Sequence, residues 1–128
     1  MKAVKFEDLE IWQIARELSG DIFNITSSGP FNSDFRFRDQ IRAAAGSVMD
    51  NIAEGFDRGG NREFIQFLSI AKGSSAEMHS QIYRALDQKY IDEKKSEEIQ
   101  EKIDKLSRKI SNLITHLKNT SYKGSKFD

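Results

Sequence analysis

The chain contains no cysteine, and only one proline and two histidines occur among its 128 residues. Without cysteine, disulfide bonds and thiolate metal sites are excluded. The chain also has no run of about 18 apolar residues, the length that a membrane-spanning helix needs. Residues 1–7 include no apolar stretch of the kind that secretion signals carry. We therefore expect a cytoplasmic protein that does not enter a membrane.

A net charge is missing as well, because 20 lysines and arginines balance 20 aspartates and glutamates. A strong overall attraction for nucleic acid is therefore not indicated. Charged residues make up 31% of the chain, and together with the single proline they favour long helices over sheets. The length is typical of one domain. We predict a single domain over residues 1–128, in which 119–128 form a loose polar tail.

The sequence shows no pattern of catalytic or metal-binding residues. His79 and His116 lie in different predicted helices, and the Glu-x-x-His pair of di-iron bundles is absent. The pair Gly59-Gly60 is not followed by the Lys-Ser/Thr of a phosphate-binding loop. No serine–histidine–acid arrangement is visible. We expect a protein that is not an enzyme, with no catalytic, cofactor-binding or metal-binding residues and no cofactor.

Apolar residues spaced three and four apart predict four helices separated by turn signals. These helices are expected at 8–27, 34–57, 61–88 and 92–118. Short links make neighbouring helices run antiparallel, so we predict an all-α fold, a single up-down-up-down antiparallel four-helix bundle. The expected N-caps are Asn32, Ser33 or Asp34 for the second helix, Asn61 for the third and Asp92 for the fourth. On the fourth helix, the pairs Glu98–Lys102 and Glu101–Lys105 have the spacing of ion pairs.

Two helices have apolar arcs that are wider than one buried face requires. The arc on the first helix spans about 200°, whereas one buried face needs roughly 100°. The excess has two interpretations: a helix sunk between neighbours of its own chain, or a second face buried against another subunit. Under the second interpretation, the predicted oligomer interface consists of Leu9, Trp12, Phe23, Ile65, His79 and Tyr83.

Polar side chains occur near the core edge of the second and third helices. The cluster predicted to pair these helices consists of Asn51, Glu54, Lys72, Ser74 and Glu77. Satisfied polar groups at such an edge fix the register of two helices. A binding role for the same residues is the alternative interpretation.

Basic residues gather at one end of the predicted bundle, which carries the N-terminus, the link between the second and third helices, and the C-terminus. The candidate nucleic-acid contacts at this basic rim are Lys2, Lys5, Arg58, Arg62, Lys118, Lys123 and Lys126. Five acids oppose them: Glu7, Asp8, Asp57, Glu63 and Asp128. An ordinary solvated surface and a phosphate-binding patch both fit this small excess.

Three motifs resemble a known family. They are Phe6-x-x-Leu9-x-x-Trp12, Asn51-Ile52-Ala53-Glu54-Gly55, and Phe67-Leu68-x-Ile70-Ala71-x-Gly73-Ser74 followed by Glu77. In this order they are similar to those of the four-helix-bundle family of ribosomal RNA intervening-sequence proteins, over about residues 6 to 118. The accessory variability protein of diversity-generating retroelements is a more distant relative. The resemblance implies homopentameric rings. The accessory variability protein binds nucleic acid and a reverse transcriptase. It implies no catalytic residue.

Two functions are therefore open. The favoured one is a non-enzymatic homo-oligomer, with a pentamer as the leading size, that contacts RNA or DNA through the basic rim. The alternative is a structural or adaptor protein that binds another protein and does not bind nucleic acid. The expected partners are accordingly the chain itself, RNA or DNA, or another protein.

Overall fold

The computed structural model describes residues 3–120, and within this range it consists of helices joined by short links. A 3-10 turn at Phe6–Asp8 precedes α1 (Glu10–Ile25), α2 (Gly29–Ser33), α3 (Phe35–Asp57), α4 (Asn61–Asp87) and α5 (Glu93–Lys118). No strand occurs between residues 3 and 120, so the predicted all-α class is confirmed. None of these helices combines the length and the apolar character that crossing a membrane demands.

The four long helices agree with the predicted ones to within two residues at each end. The short helix α2 was not expected, because Ser27-Ser28-Gly29-Pro30 is a turn signal. Proline is nevertheless well tolerated in the first turn of a helix, where its missing N–H is not needed, and Pro30 lies there. The backbone enters α2 through Gly29 at φ +65°, a conformation that glycine adopts without strain.

Two of the predicted N-caps are confirmed and one is wrong. Asp34 Oδ1 accepts a hydrogen bond from Phe37 N at 3.3 Å, and Asp92 Oδ1 accepts one from Lys95 N at 2.8 Å. Gly60, not Asn61, occupies the N-cap position of α4. Asn61 is instead buried, and its Nδ2 donates to Leu117 O at 3.4 Å. This contact ties the start of α4 to the end of α5.

Each long helix packs on two others. α1 packs on α3 and α5, and α4 also packs on α3 and α5. α1 and α5 run in opposite directions: Lys102 of α5 contacts Asp21 of α1, whereas Lys109, further along α5, contacts Glu10 at the start of α1. The groove between α1 and α3 and the groove between α4 and α5 therefore lie on opposite sides of the molecule.

The core consists of the predicted apolar stripes. Side chains with 0% exposure come from all four long helices: Leu18 and Ile22, Ile41, Val48 and Ile52, Leu68, Met78 and Ile82, and Leu106 and Ile110. The heptad-like seam of α5 explains why this helix buries one narrow face while its remaining surface stays charged.

α3 and α4 approach each other closely in the core at Gly55. A Cβ atom added there would lie 2.6 Å from Phe67 Cβ and 3.1 Å from Phe64 Cδ1. Real Cβ atoms do not approach other carbons so closely, so only glycine allows α3 to pack here without displacing α4.

An aromatic cluster closes the end of the core opposite the basic rim. Phe31 of α2 stacks on Phe37 of α3 with ring centroids 5.0 Å apart, and Tyr90 contacts Phe31 at 4.9 Å. The Tyr90 hydroxyl donates to Asp34 Oδ2 at 2.8 Å, which raises the pKa of Tyr90. Asp34 thus caps α3 and also fixes the link between α4 and α5.

Candidate interaction surfaces

The predicted polar cluster is only partly assembled between α3 and α4. Ser47 and Ser74 share a hydrogen bond of 2.9 Å between their Oγ atoms. Asn51 Nδ2 donates to Ser47 O at 2.8 Å and to Ser47 Oγ at 3.0 Å. Asn51 and Ser74 are therefore joined through Ser47, a residue that lay just outside the predicted cluster. The Ser47–Ser74 bond joins α3 to α4, and the two bonds from Asn51 hold Ser47 in place within α3.

The other three residues of that cluster point elsewhere. Glu54 pairs with Arg58 at 2.8 Å, and Glu77 Oε2 accepts a 3.4 Å hydrogen bond from Gln81. Lys72 is exposed. None of the three reaches the Ser47–Ser74 contact among residues 3–120, so the structure assembles no larger polar site there.

At the basic rim, cations and acids balance within the described residues. Lys5, Arg58, Arg62 and Lys118 are all exposed at this end. Lys2, Lys123 and Lys126 lie outside the described residues, as does Asp128. The remaining acids at the rim, Glu7, Asp8, Asp57 and Glu63, also number four. The predicted positive excess therefore depends on residues that the structure does not describe.

A stripe of aromatic and cationic side chains follows α1 on the side that faces α3. Trp12, Arg16, Ser19 and Phe23 lie four, three and four residues apart, and we call them the arginine stripe. The Arg16 guanidinium lies 5.6 Å from the centre of the Trp12 ring. Phe23 is 56% exposed, and Arg42 of α3 covers it at 4.5 Å. Each guanidinium is attracted to the electron-rich face of the ring that it covers.

Part of the wide apolar arc on α1 is covered within the chain. Phe6 of the 3-10 turn contacts the Trp12 ring edge-to-face at 5.2 Å. Leu9, Trp12 and Ile65 are partly buried and pack against the core. Among the predicted interface residues, Phe23 and Tyr83 are therefore the two that leave most of their surface open, at 56% and 52% exposure.

A groove with acidic walls runs between α4 and α5. Its volume is about 350 Å³, and the residues that define this acidic groove are Tyr83, Leu86, Glu93, Glu97, Glu101 and Asp104. His79 lies 5.3 Å from the Tyr83 ring and places Nδ1 3.7 Å from Asp104 Oδ1. The walls carry four carboxylates, and no lysine or arginine lines the groove.

This groove was not predicted, because the glutamates of α5 were expected to pair along their own helix. In the structure, Lys102 Nζ instead reaches α1, 2.6 Å from Glu17 Oε1 and 2.7 Å from Asp21 Oδ2. Hydrogen bonds to Asp21 and Glu17 raise the pKa of Lys102, and the bond from Lys102 lowers the pKa of Glu17. The spacing of Glu98 and Lys102 thus does not produce an ion pair, because Glu98 pairs with Lys95, and no ion pair joins Glu101 to Lys105 within residues 3–120. The signal that would have indicated the groove is the spacing of Glu93, Glu97 and Glu101, which places them on one helical face.

No group of three or more histidine, cysteine, aspartate or glutamate side chains in the described part of the chain is arranged to hold a metal ion.

Comparison with known proteins places the chain in a family. Residues 7–112 match the family described as 23S rRNA-intervening sequence protein. No curated protein matches the chain. A solved structure of a protein with unknown function from the S23 ribosomal protein family of Bacteroides thetaiotaomicron is similar. It has 20% sequence identity and a TM-score of 0.74, and the match covers 81% of this chain and 97% of that one.

At this identity the solved structure shows only that the fold is shared. The family match covers most of the described residues and confirms the resemblance carried by the three motifs. The chain therefore belongs to the 23S rRNA-intervening sequence protein family.

Proposed function

We propose that this protein is a non-enzymatic scaffold that assembles head-to-tail with copies of itself. In this proposal its four long helices form an up-down-up-down bundle, a topology that the opposite directions of α1 and α5 support. The single observation that carries self-association is the exposure of two of the predicted interface residues, Phe23 and Tyr83. Large apolar side chains exposed on a small protein mark contact surfaces when they gather with other contact-forming groups.

The two aromatic residues lie on different helices and different sides of the molecule. Phe23 belongs to the α1–α3 side and Tyr83 to the α4–α5 side. Two unlike patches cannot form a symmetric two-fold contact with each other, and their pairing generates a ring or a filament. A pentameric ring is the size implied by the family resemblance, and we retain it as part of the proposal together with a cytoplasmic location.

Light scattering coupled to size exclusion tests the assembly. The intact chain should elute as a multiple of its 14.7 kDa mass. Phe23→Ser and Tyr83→Ser should each shift the mass towards the monomer. Ile70→Ser is the matched control, because Ile70 is 52% exposed on α4 but does not line the acidic groove. A monomer at micromolar concentrations of the original chain would exclude the proposal.

Contact with RNA or DNA through the basic rim is the second candidate function. The observation that favours it is the gathering of Lys5, Arg58, Arg62 and Lys118 at one exposed end. Each chain has seven cations and five acids at this end once residues 2, 123, 126 and 128 are included, and an assembly would repeat this excess of two on one rim. Such a rim attracts phosphate without reading bases, so binding should be insensitive to sequence and weakened by salt.

Binding to a structured RNA at several salt concentrations tests this candidate. Changing Lys118, Lys123 and Lys126 together to Glu should reduce affinity at least tenfold while the oligomer mass stays constant. Lys94→Glu, at the opposite end of α5, is the control and should leave affinity within twofold of the original. If the unaltered chain does not bind at low salt, the alternative function applies, which is an adaptor that binds another protein.

A further inference from the structure

Three glutamates of the acidic groove carry charge that the described part of the chain does not neutralise. Glu93, Glu97 and Glu101 follow one another at four-residue spacing, so neighbouring carboxylates share a face of α5. None forms an ion pair among residues 3–120, whereas the lysines on the far side of α5 reach Glu10, Glu17 and Asp21 of α1. Like charges at this spacing repel, so a cation in the groove would relieve an unfavourable interaction.

A second observation also indicates a missing partner. Ser75 is fully buried, and its Oγ has no hydrogen-bond partner. Ser75 lines a cavity of about 190 Å³ together with His79, Asp104 and Ser107, next to the acidic groove. A buried hydroxyl without a partner costs stability, so a donor that enters from the groove would be favoured.

The chain itself carries an exposed cation that donates hydrogen bonds, the guanidinium of Arg16. Arg16 is exposed and forms no ion pair within the described residues, and its guanidinium lies over the Trp12 ring. A guanidinium offers five donors in a planar fork that matches carboxylates, and it stacks on aromatic rings. Arg16 lies on α1, which packs on α3 and α5 but not extensively on α4, so it faces away from the groove of its own chain.

We propose that the acidic groove receives the arginine stripe of a second copy of the chain, with the neighbour's Arg16 set among Glu97, Glu101 and Asp104. This inference rests on the proposed self-association and names the two surfaces that meet. Tyr83 then packs against the aromatic part of the stripe. The groove would repel the phosphates of a nucleic acid, which leaves the basic rim for that partner.

Charge reversal tests the pairing. Two variants are needed: one carries Arg16→Glu, and the other carries both Glu97→Arg and Glu101→Arg. Each should weaken assembly at least tenfold when dissociation is followed by light scattering at decreasing concentration. A chain that carries all three changes should regain most of the assembly, because the charges are complementary again. A mixture of the two weakened variants should also associate, since each supplies the surface that the other needs. It should not reach a closed pentamer, because two alternating subunits cannot fill a five-membered ring.

Arg62→Glu and Glu63→Arg are the controls. Arg62 is an exposed cation at the basic rim, and Glu63 is an exposed acid beside it. They should leave assembly unchanged, and circular dichroism should confirm that every variant is folded. If the reversed variants keep their mass while the original chain is an oligomer, this inference is wrong and the proposed function stands. A loss of assembly that the combined changes do not restore also overturns it. If the original chain is a monomer, both fail.

Discussion

Gly55 lies so close to Phe67 that a methyl group on residue 55 would stand 2.6 Å from Phe67 Cβ. The contact involves the first atom of the Phe67 side chain, which cannot move without its backbone. The separation between α3 and α4 is therefore set at this point by the absence of a side chain on one helix.

Gly55→Ala should destabilise the fold by about 1–3 kcal/mol, the usual cost of forcing extra volume into a packed core. Gly73→Ala is the matched control on α4, because a Cβ there meets nothing within 4 Å. It should instead stabilise the helix by about 0.5–1 kcal/mol, since alanine is the better helix former. Urea unfolding of both variants measures the two changes, and equal effects would contradict the close approach.

Ile52→Asp and Leu106→Asp should each abolish the native fold. Both side chains are fully buried, and an unpaired carboxylate in such a site costs several kcal/mol. Ile70→Asp introduces the same group at a half-exposed position of α4 and should leave helicity intact. Far-UV circular dichroism distinguishes these outcomes, and a native spectrum for Leu106→Asp would show that the seam of α5 is not in the core.

Lys102→Met should destabilise the fold by about 0.5–1 kcal/mol near neutral pH, because the ion pairs that it removes are partly open to solvent. The pKa of Glu17 is lowered, so its contribution is present above its ordinary pKa of 4.5 and is lost as the solution becomes more acidic. The pKa of Lys102 is raised, so its contribution is present below 10.5 and is lost at higher pH.

The difference between the original chain and Lys102→Met should therefore be largest between these limits and should vanish in acid. Urea titrations at a series of pH values measure this difference. Glu98→Gln serves as the control, since Glu98 pairs with Lys95 on its own helix and with no other residue between 3 and 120. A difference that persists unchanged in acid would mean that Lys102 acts through packing alone.

Tyr90 should lose its proton later than an ordinary tyrosine on alkaline titration, because the bond to Asp34 raises its pKa above 10.0. The folded state then holds this proton more tightly than the unfolded state. The resulting stability is present below pH 10 and is lost as the pH rises through the folded pKa. Ultraviolet absorbance of tyrosinate follows the step. Tyr90→Phe should remove this titration step, and Asp34→Asn should return the pKa of Tyr90 towards the ordinary range.

The sequence was sufficient for the helices and the core, because these depend on local spacing. Ile99, Ile103, Leu106 and Ile110 form a seam whose burial follows from the period of a helix alone. The caps at Asp34 and Asp92 are local as well. Asn61 was misplaced because its partner, Leu117, is 56 residues away in the chain.

The surfaces were harder to predict. A long side chain can bond to a residue of another helix, and the spacing of residues along one helix does not show which residue that is. Lys102 has Glu98 one turn away on its own helix but bonds to Glu17 and Asp21 of α1, and Glu98 pairs with Lys95 instead. The wide apolar arc of α1 was ambiguous for the same reason. Only the structure shows that Phe6 covers Trp12, while Phe23 stays largely open.

Only three residues, 58–60, connect α3 to α4. Closing a short loop costs little chain entropy, so this helical hairpin can form before more distant segments meet. We expect the transition state for folding to contain the hairpin and to lack most contacts of α1. The φ-value of Leu68→Ala should accordingly exceed that of Leu18→Ala. Contacts that are local in the chain are typical of proteins that fold within microseconds to milliseconds. On this expectation, a newly made chain keeps part of its apolar stripes uncovered until α1 joins the hairpin of α3 and α4.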